Sequence, residues 1–207
     1  MTAPKLKICG VKSAGEARLL RGSGVDLAGL NFIPNSSRFI SLKQAEAILA
    51  ELKPSKVQTV ALFAGRSLDE INDYAGRLKI DYVQLHGGEP PDYARNINAP
   101  VIRAIAVHPG QSAADLVKFI SQYPADYFVL DRHRQGQGEP IDTKLASQII
   151  AAEPGKIFLA GGLTPDNLPV VLSKVYPYGI DIAGGVRTGS DDLDITKVNR
   201  CLKIVRA

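Results

Sequence analysis

Short apolar runs alternate with amphipathic stretches along the whole chain. Leu6–Cys9, Leu27–Ile33, Val57–Phe63, Tyr82–Leu85, Val101–Val107, Tyr127–Leu130, Ile157–Ala160 and Gly179–Ile182 are apolar or β-branched runs of strand length. They lack the strict alternation of a sheet with one wet face, so each predicts a strand covered on both sides. Between them, apolar residues recur at helical spacing behind polar starts. Ser13-Ala14-Gly15-Glu16, Ser41-Leu42-Lys43-Gln44 and Ser67-Leu68-Asp69-Glu70 read as capping boxes, where a hydroxyl and a carboxyl or amide satisfy each other's backbone N–H groups. Ser112 and Asp115 make a further cap-like start for a helix to Gln122. Pro90-Pro91 predicts a short helix through Asn96, and Thr143–Ala152 another. Thr164-Pro165 pairs an N-cap with a proline at the first helical position, predicting a helix to Val175, and Asp194–Val205 closes the chain.

These are about eight strand–helix units of roughly 26 residues each, near the short limit for a (β/α)8 barrel. The predicted fold is therefore α/β, a single-domain (β/α)8 barrel over residues 1–207. The rival is an open doubly wound sheet; the count and even spacing favour closure. No linker, low-complexity segment or composition shift marks a second domain.

Composition narrows the function classes. Hydrophobic residues are 45% and charged residues 22% of 207, an ordinary globular balance. The net charge of +4 comes from scattered basic residues, so no nucleic-acid footprint is indicated. A mildly positive field suits an anionic metabolite. Cys9 and Cys201 lie at opposite ends of the chain, with no metal-site spacing, and read as free thiols of a reducing compartment. No apolar run is long enough to cross a bilayer, and the N-terminus lacks the apolar core of a signal peptide. The expectation is a cytoplasmic monomer or homodimer whose partner is a small molecule, with no nucleic acid, membrane or metal.

In such a barrel the reactive groups sit at the C-terminal ends of strands. The residues there are Cys9, Asn31, Arg38, His86, Arg103, Asp131, the pair Gly161-Gly162, Asp181 and the pair Gly184-Gly185. The two glycine pairs follow the last two strands, where barrels often hold a phosphate on backbone N–H groups; the plainer reading is turn material. Cys9 taken alone reads most simply as a buried small apolar residue. A catalytic role needs positive charge to form a thiolate, and Lys7 shares its face of the strand. Asp131 either caps the following loop or works at the mouth. Arg38 is a solvated cation or an anion clamp, and His86 an interior hydrogen-bonder or a base. His108 and His133 read as surface residues, and Cys201 as core.

The residues then reach a known family. Lys7-Ile8-Cys9-Gly10, the segment Phe32 to Arg38, Val83-Gln84-Leu85-His86-Gly87, Leu130-Asp131, the segment Leu159 to Asn167, and Asp181-Ile182 with Gly185-Val186 resemble phosphoribosylanthranilate isomerase, in order and along the whole chain. The resemblance implies a (β/α)8 barrel of tryptophan biosynthesis. It implies a cofactor-free Amadori rearrangement of N-(5-phosphoribosyl)anthranilate to the 1-deoxyribulose 5-phosphate derivative. It further implies Cys9 as general base, Asp131 as general acid, Arg38 against the anthranilate part, and Gly162 and Gly185 on the phosphate beside Gly161 and Gly184. His86 is placed in the binding wall. A protonated Asp131 would open the sugar ring, and a Cys9 thiolate, held ionised by local positive charge, would take the C2′ proton.

The chain departs from the family pattern in places. Gln135-Gly136-Gln137-Gly138 and Ile141-Asp142-Thr143 replace the usual sixth loop. Ala183-Gly184-Gly185-Val186-Arg187 stands where serine-serine-glycine-valine-glutamate is usual, and Asp191-Asp192 where lysine-aspartate is usual. Asn31 replaces an apolar residue. Two alternatives follow: a divergent barrel that binds a phosphorylated sugar without this chemistry, and a ribulose-phosphate epimerase. The second needs metal-binding histidines, and the chain has three scattered ones.

Overall fold

The computed structural model describes residues 3–132 and 142–207. Strands and helices alternate: β1 (Lys5–Cys9), α1 (Ala14–Arg21), β2 (Leu27–Asn31), α2 (Leu42–Leu52), β3 (Gln58–Phe63), α3 (Leu68–Leu78), β4 (Tyr82–Leu85) and α4 (Pro91–Arg95). They continue as β5 (Val101–Val107), α5 (Ala113–Gln122), β6 (Tyr127–Arg132), α6 (Thr143–Ala152), β7 (Ile157–Leu159), α7 (Leu168–Leu172), β8 (Gly179–Ile182) and α8 (Ile195–Arg206). Each strand pairs in parallel with the next, and β8 returns to β1 with Lys7 opposite Asp181. The sheet is a closed barrel, as the spacing predicted, and the open sheet is excluded.

The apolar residues form two layers. Ile8, Leu30, Phe63, Leu130 and Ile182 pack outward against the helices. Leu27, Val60, Leu62, Ile102, Val129 and Phe158 fill the barrel. Toward the N-terminal end of the strands, Tyr127 stacks on Tyr178 at 4.8 Å and meets Phe158 edge-on at 5.9 Å. Tyr178 donates to the Tyr127 hydroxyl at 3.3 Å; that bond, with burial, pushes Tyr127 up to about 12. This aromatic plug fills one end of the barrel, so the polar groups on the inner face gather at the other. No described helix is long and apolar enough to cross a membrane.

One predicted cap and two predicted boundaries differ for a side-chain reason. The Ser41 and Ser67 capping boxes form on both sides. At Ser13 only half forms: its hydroxyl accepts from Glu16 N–H, but the Glu16 carboxylate accepts from Lys12 N–H at 2.7 Å and from Arg187 at 2.9 Å. A buried guanidinium outcompetes the cap N–H for that carboxylate. β2 ends at Asn31 rather than Ile33 because Asn31 Oδ1 accepts the Ile33 N–H at 2.8 Å and turns the chain. α7 starts at Leu168, not at Pro165. Asn167 holds the preceding turn by accepting from Thr164 N–H and donating to Gly162 O, both at 2.9 Å. The predicted polar loop with Gly136 and Gly138, and His133, lie outside the described residues.

Candidate active site

Alternation along the strands decides which predicted residues meet. Lys7 and Cys9 lie two apart on β1 and share its inner face. Lys7 is wholly enclosed and pairs with Asp181 of β8, Nζ to Oδ2 at 2.7 Å. Cys9 sits one layer higher, level with Gly29 of β2. A Cβ on Gly29 would lie 3.2 Å from the sulfur, so that glycine makes room for it. Burial pushes the Cys9 thiol above its usual range; Lys7 and Arg38 pull it back and Asp181 adds to the rise. Desolvation thus outweighs the two cations at this sulfur, against the expectation that positive charge keeps it ionised. Lys7 stays charged: burial works against it, and Asp181 and Cys9 outweigh burial.

Arg38 comes from the β2–α2 loop and lies across Gly10. A Cβ on Gly10 would stand 2.2 Å from Arg38 Cδ, and the φ of Gly10 is +79°. Only glycine lets the arginine cross there. Its Nη2 ends 3.5 Å from where a Gly184 Cβ would be, and its Nε is buried with no hydrogen-bond partner among the described residues. Arg38 thus joins the β1 loop to the β8 loop and is not merely a solvated cation.

Asp131 stands on β6. Its Oδ1 accepts the Arg132 N–H at 2.8 Å and would lie 3.1 Å from a Cβ on Gly161. His86 follows β4; its N–H donates to Phe63 O at 2.8 Å, and Nδ1 lies 3.4 Å from Gln84 Nε2. Burial holds His86 below the ordinary imidazole range against the pull of Asp131, so the ring is neutral near pH 7. A cavity of about 440 Å³ opens beside His86, Asp131 and Arg132 and extends outward to α5. Cys9, Arg38 and the glycine pairs do not line it, so it covers one flank of the mouth and not its centre.

The glycine pairs form one structure. A Cβ on Gly185 would fall 1.9 Å from Leu163 O, so the β8 loop lies directly on the β7 loop. Gly161 and Gly162 have φ of +90° and +69°. Cys9 and Arg38 approach this unit from the β1 side, and Asp131 from the β6 side.

Two predicted strand-end residues are taken up by structural contacts. Arg103 points outward from β5: it donates to Glu89 at 2.8 Å and to Gly87 O at 2.6 Å, and lies over the Tyr123 ring. Asn31 serves the turn described above. Cys201 is buried in α8 and pushed up to about 11, mainly by burial, which makes it inert core as expected. Among the described residues no group of three or more His, Cys, Asp or Glu side chains is placed to hold a metal ion. Sequence reasoning missed Arg132 and Gly29. The first follows Asp131 directly, and strand parity alone sends it away from the mouth. The second needs the β1–β2 register.

A family model for N-(5'phosphoribosyl)anthranilate (PRA) isomerase matches residues 6–203. The N-(5'-phosphoribosyl)anthranilate isomerase of Geobacter metallireducens is 35% identical over 207 residues, covering 98% of this chain and 99% of its own. Among solved structures, the phosphoribosyl anthranilate isomerase of Thermotoga maritima has a TM-score of 0.87 at 28% identity, with 98% of each chain covered. A phosphoribosyl anthranilate isomerase in complex with reduced 1-(o-carboxyphenylamino)-1-deoxyribulose 5-phosphate has a TM-score of 0.84 at 28% identity, again with 98% of each chain covered.

Proposed function

This chain belongs to the N-(5'-phosphoribosyl)anthranilate isomerase family, and we propose that it works through Cys9 as general base and Asp131 as general acid. It is an isomerase of tryptophan biosynthesis. By this reading the substrate is N-(5'-phosphoribosyl)anthranilate and the product 1-(2-carboxyphenylamino)-1-deoxyribulose 5-phosphate. The whole of 1–207 acts as one domain.

Asp131, protonated, gives its proton to the ribose ring oxygen as the C1′–O bond breaks. The nitrogen lone pair forms the C1′=N bond of a cationic Schiff base. The Cys9 thiolate then removes the C2′ proton, the C–H electrons form C1′=C2′, and the nitrogen regains its pair. The resulting enolamine tautomerises, losing the proton on O2′ and gaining one at C1′, to leave the ketone. A cationic Schiff base next to the sulfur adds to the pull of Lys7 and Arg38, so the thiolate becomes favoured as the reaction reaches it. Each well-placed acid or base contributes about 10²–10⁴-fold.

Arg38 meets the anthranilate carboxylate, and the glycine pairs hold the phosphate on backbone N–H groups. His86, neutral, lines the wall as a hydrogen-bonder. What supports these roles is one placement: Asp131 Oδ1 lies 3.1 Å from where a Cβ on Gly161 would be, while Arg38 crosses Gly10, next to Cys9, and reaches to 3.5 Å from where a Cβ on Gly184 would be. Acid and base thus stand on opposite sides of a single glycine unit. Turnover of freshly made substrate by Cys9→Ser and Asp131→Asn tests the assignment. Folded variants without activity are expected; full activity in either removes that residue's role.

A further inference from the structure

Arg132 ends β6 one residue past the general acid, and its side chain runs along the β7 loop. A Cβ on Gly161 would lie 3.1 Å from Arg132 Cγ. A Cβ on Gly162 would lie 3.0 Å from Cζ and Nη1 and 3.1 Å from Nη2. The guanidinium thus lies against Gly162, in space that the missing side chain leaves open. Gly162 is joined to the β8 glycines through the Leu163–Gly185 contact, so Arg132 lies at the β7 side of the two-loop unit.

We propose that Arg132 is a side-chain ligand of the substrate phosphate. The inference rests on the functional reading above and deepens it. Ala183 and Gly184 carry no hydroxyl, so at these two positions the β8 loop offers a phosphate only backbone N–H donors. A phosphate monoester carries about −1.5 to −2 charge near neutral pH. A guanidinium matches it with a fork of N–H donors that does not lose its proton. Arg132 therefore adds, from the β6 side, a charged forked donor that those two positions do not supply. The same residue donates its backbone N–H to Asp131 Oδ1 at 2.8 Å, which ties the acid to the phosphate anchor through one residue.

The test is phosphate binding and steady-state kinetics of wild type, Arg132→Ala and Arg132→Lys, each checked for folding by thermal melting. Inorganic phosphate is the probe, by calorimetry and as a competitive inhibitor. Losing a hydrogen bond to a charged group predicts that R132A binds phosphate about 10–100-fold more weakly. KM rises by a similar factor while kcat changes less, and R132K falls between. Phosphate binding in folded R132A equal to wild type overturns the proposal. So does a loss confined to kcat, which would place Arg132 at Asp131 instead. Phosphate binding is read without turnover, so an inactive wild type would defeat the functional reading and leave this comparison intact.

Discussion

Lys7 Nζ lies 2.7 Å from Asp181 Oδ2, with the lysine fully enclosed directly beneath Cys9. A buried pair of this kind costs desolvation on both sides, and breaking it strands a charge. Lys7→Met is expected to destabilise the protein by about 3–5 kcal/mol, because Asp181 is left unpaired. Lys7→Met with Asp181→Leu recovers most of that loss but not the activity, because Cys9 still lacks its nearest cation. Denaturant unfolding and kcat of the three proteins check this. A stable, fully active double variant would mean that the pair serves folding alone.

The raised Cys9 pKa sets a pH dependence. A group whose folded pKa is raised stays protonated to higher pH, so the free enzyme's thiolate appears only above the ordinary thiol range. The kcat/KM is expected to climb with pH through and beyond about 8.5. Stability from the same group is complete at neutral pH and fades as pH rises through the folded value. A pH–rate profile with thiolate absorbance measures both, and a plateau below the ordinary thiol value would contradict the burial argument.

His86 works in the opposite direction. Its folded pKa lies below 6.5, chiefly through burial. Its contribution to stability is complete above 6.5 and shrinks as pH falls toward the folded value. Melting temperatures of wild type and His86→Gln should converge at low pH relative to their difference at pH 7. A His86 resonance titrating above 6.5 would refute the assignment.

Arg187 holds the β8 loop to the β1 loop: it pairs with buried Glu16 at 2.9 Å and donates to Gly10 O. Asp191 lies 3.7 Å from its Nε and 2.8 Å from Lys12 Nζ. Arg187→Ala leaves the Glu16 carboxylate unpaired, and a loss of about 3–5 kcal/mol is expected. Calorimetry would show this as a melting temperature lower by roughly 10 °C.

Gly185→Ala places a methyl 1.9 Å from Leu163 O, where only backbone movement relieves it. A stability loss of about 1–3 kcal/mol is expected, with KM rising more than kcat as the two loops separate. Unfolding and kinetics of the purified variant decide it.

Much of the site was legible along the chain. Cys9, Asp131 and the glycine pairs end apolar runs, and in a barrel strand ends converge. Arg103 ends no strand: it lies mid-way along β5, and parity turns it out to Glu89 and Tyr123. The Glu16 carboxylate looked local because Ser13 is three residues away, yet its partner comes from residue 187. Local spacing cannot register a competitor that arrives across the barrel.

The alternation of apolar runs and capped helices was enough to determine a closed eight-stranded barrel and to place the strand ends that carry the candidate site. Hydrophobic period and helix capping are local properties, written in neighbouring residues. Packing decided the rest: how far desolvation outweighs Lys7 and Arg38 at Cys9, which way Arg103 and Arg132 point, and how closely the last two loops meet. Those depend on burial and on distances between segments remote in the chain, which exist only once the barrel has closed.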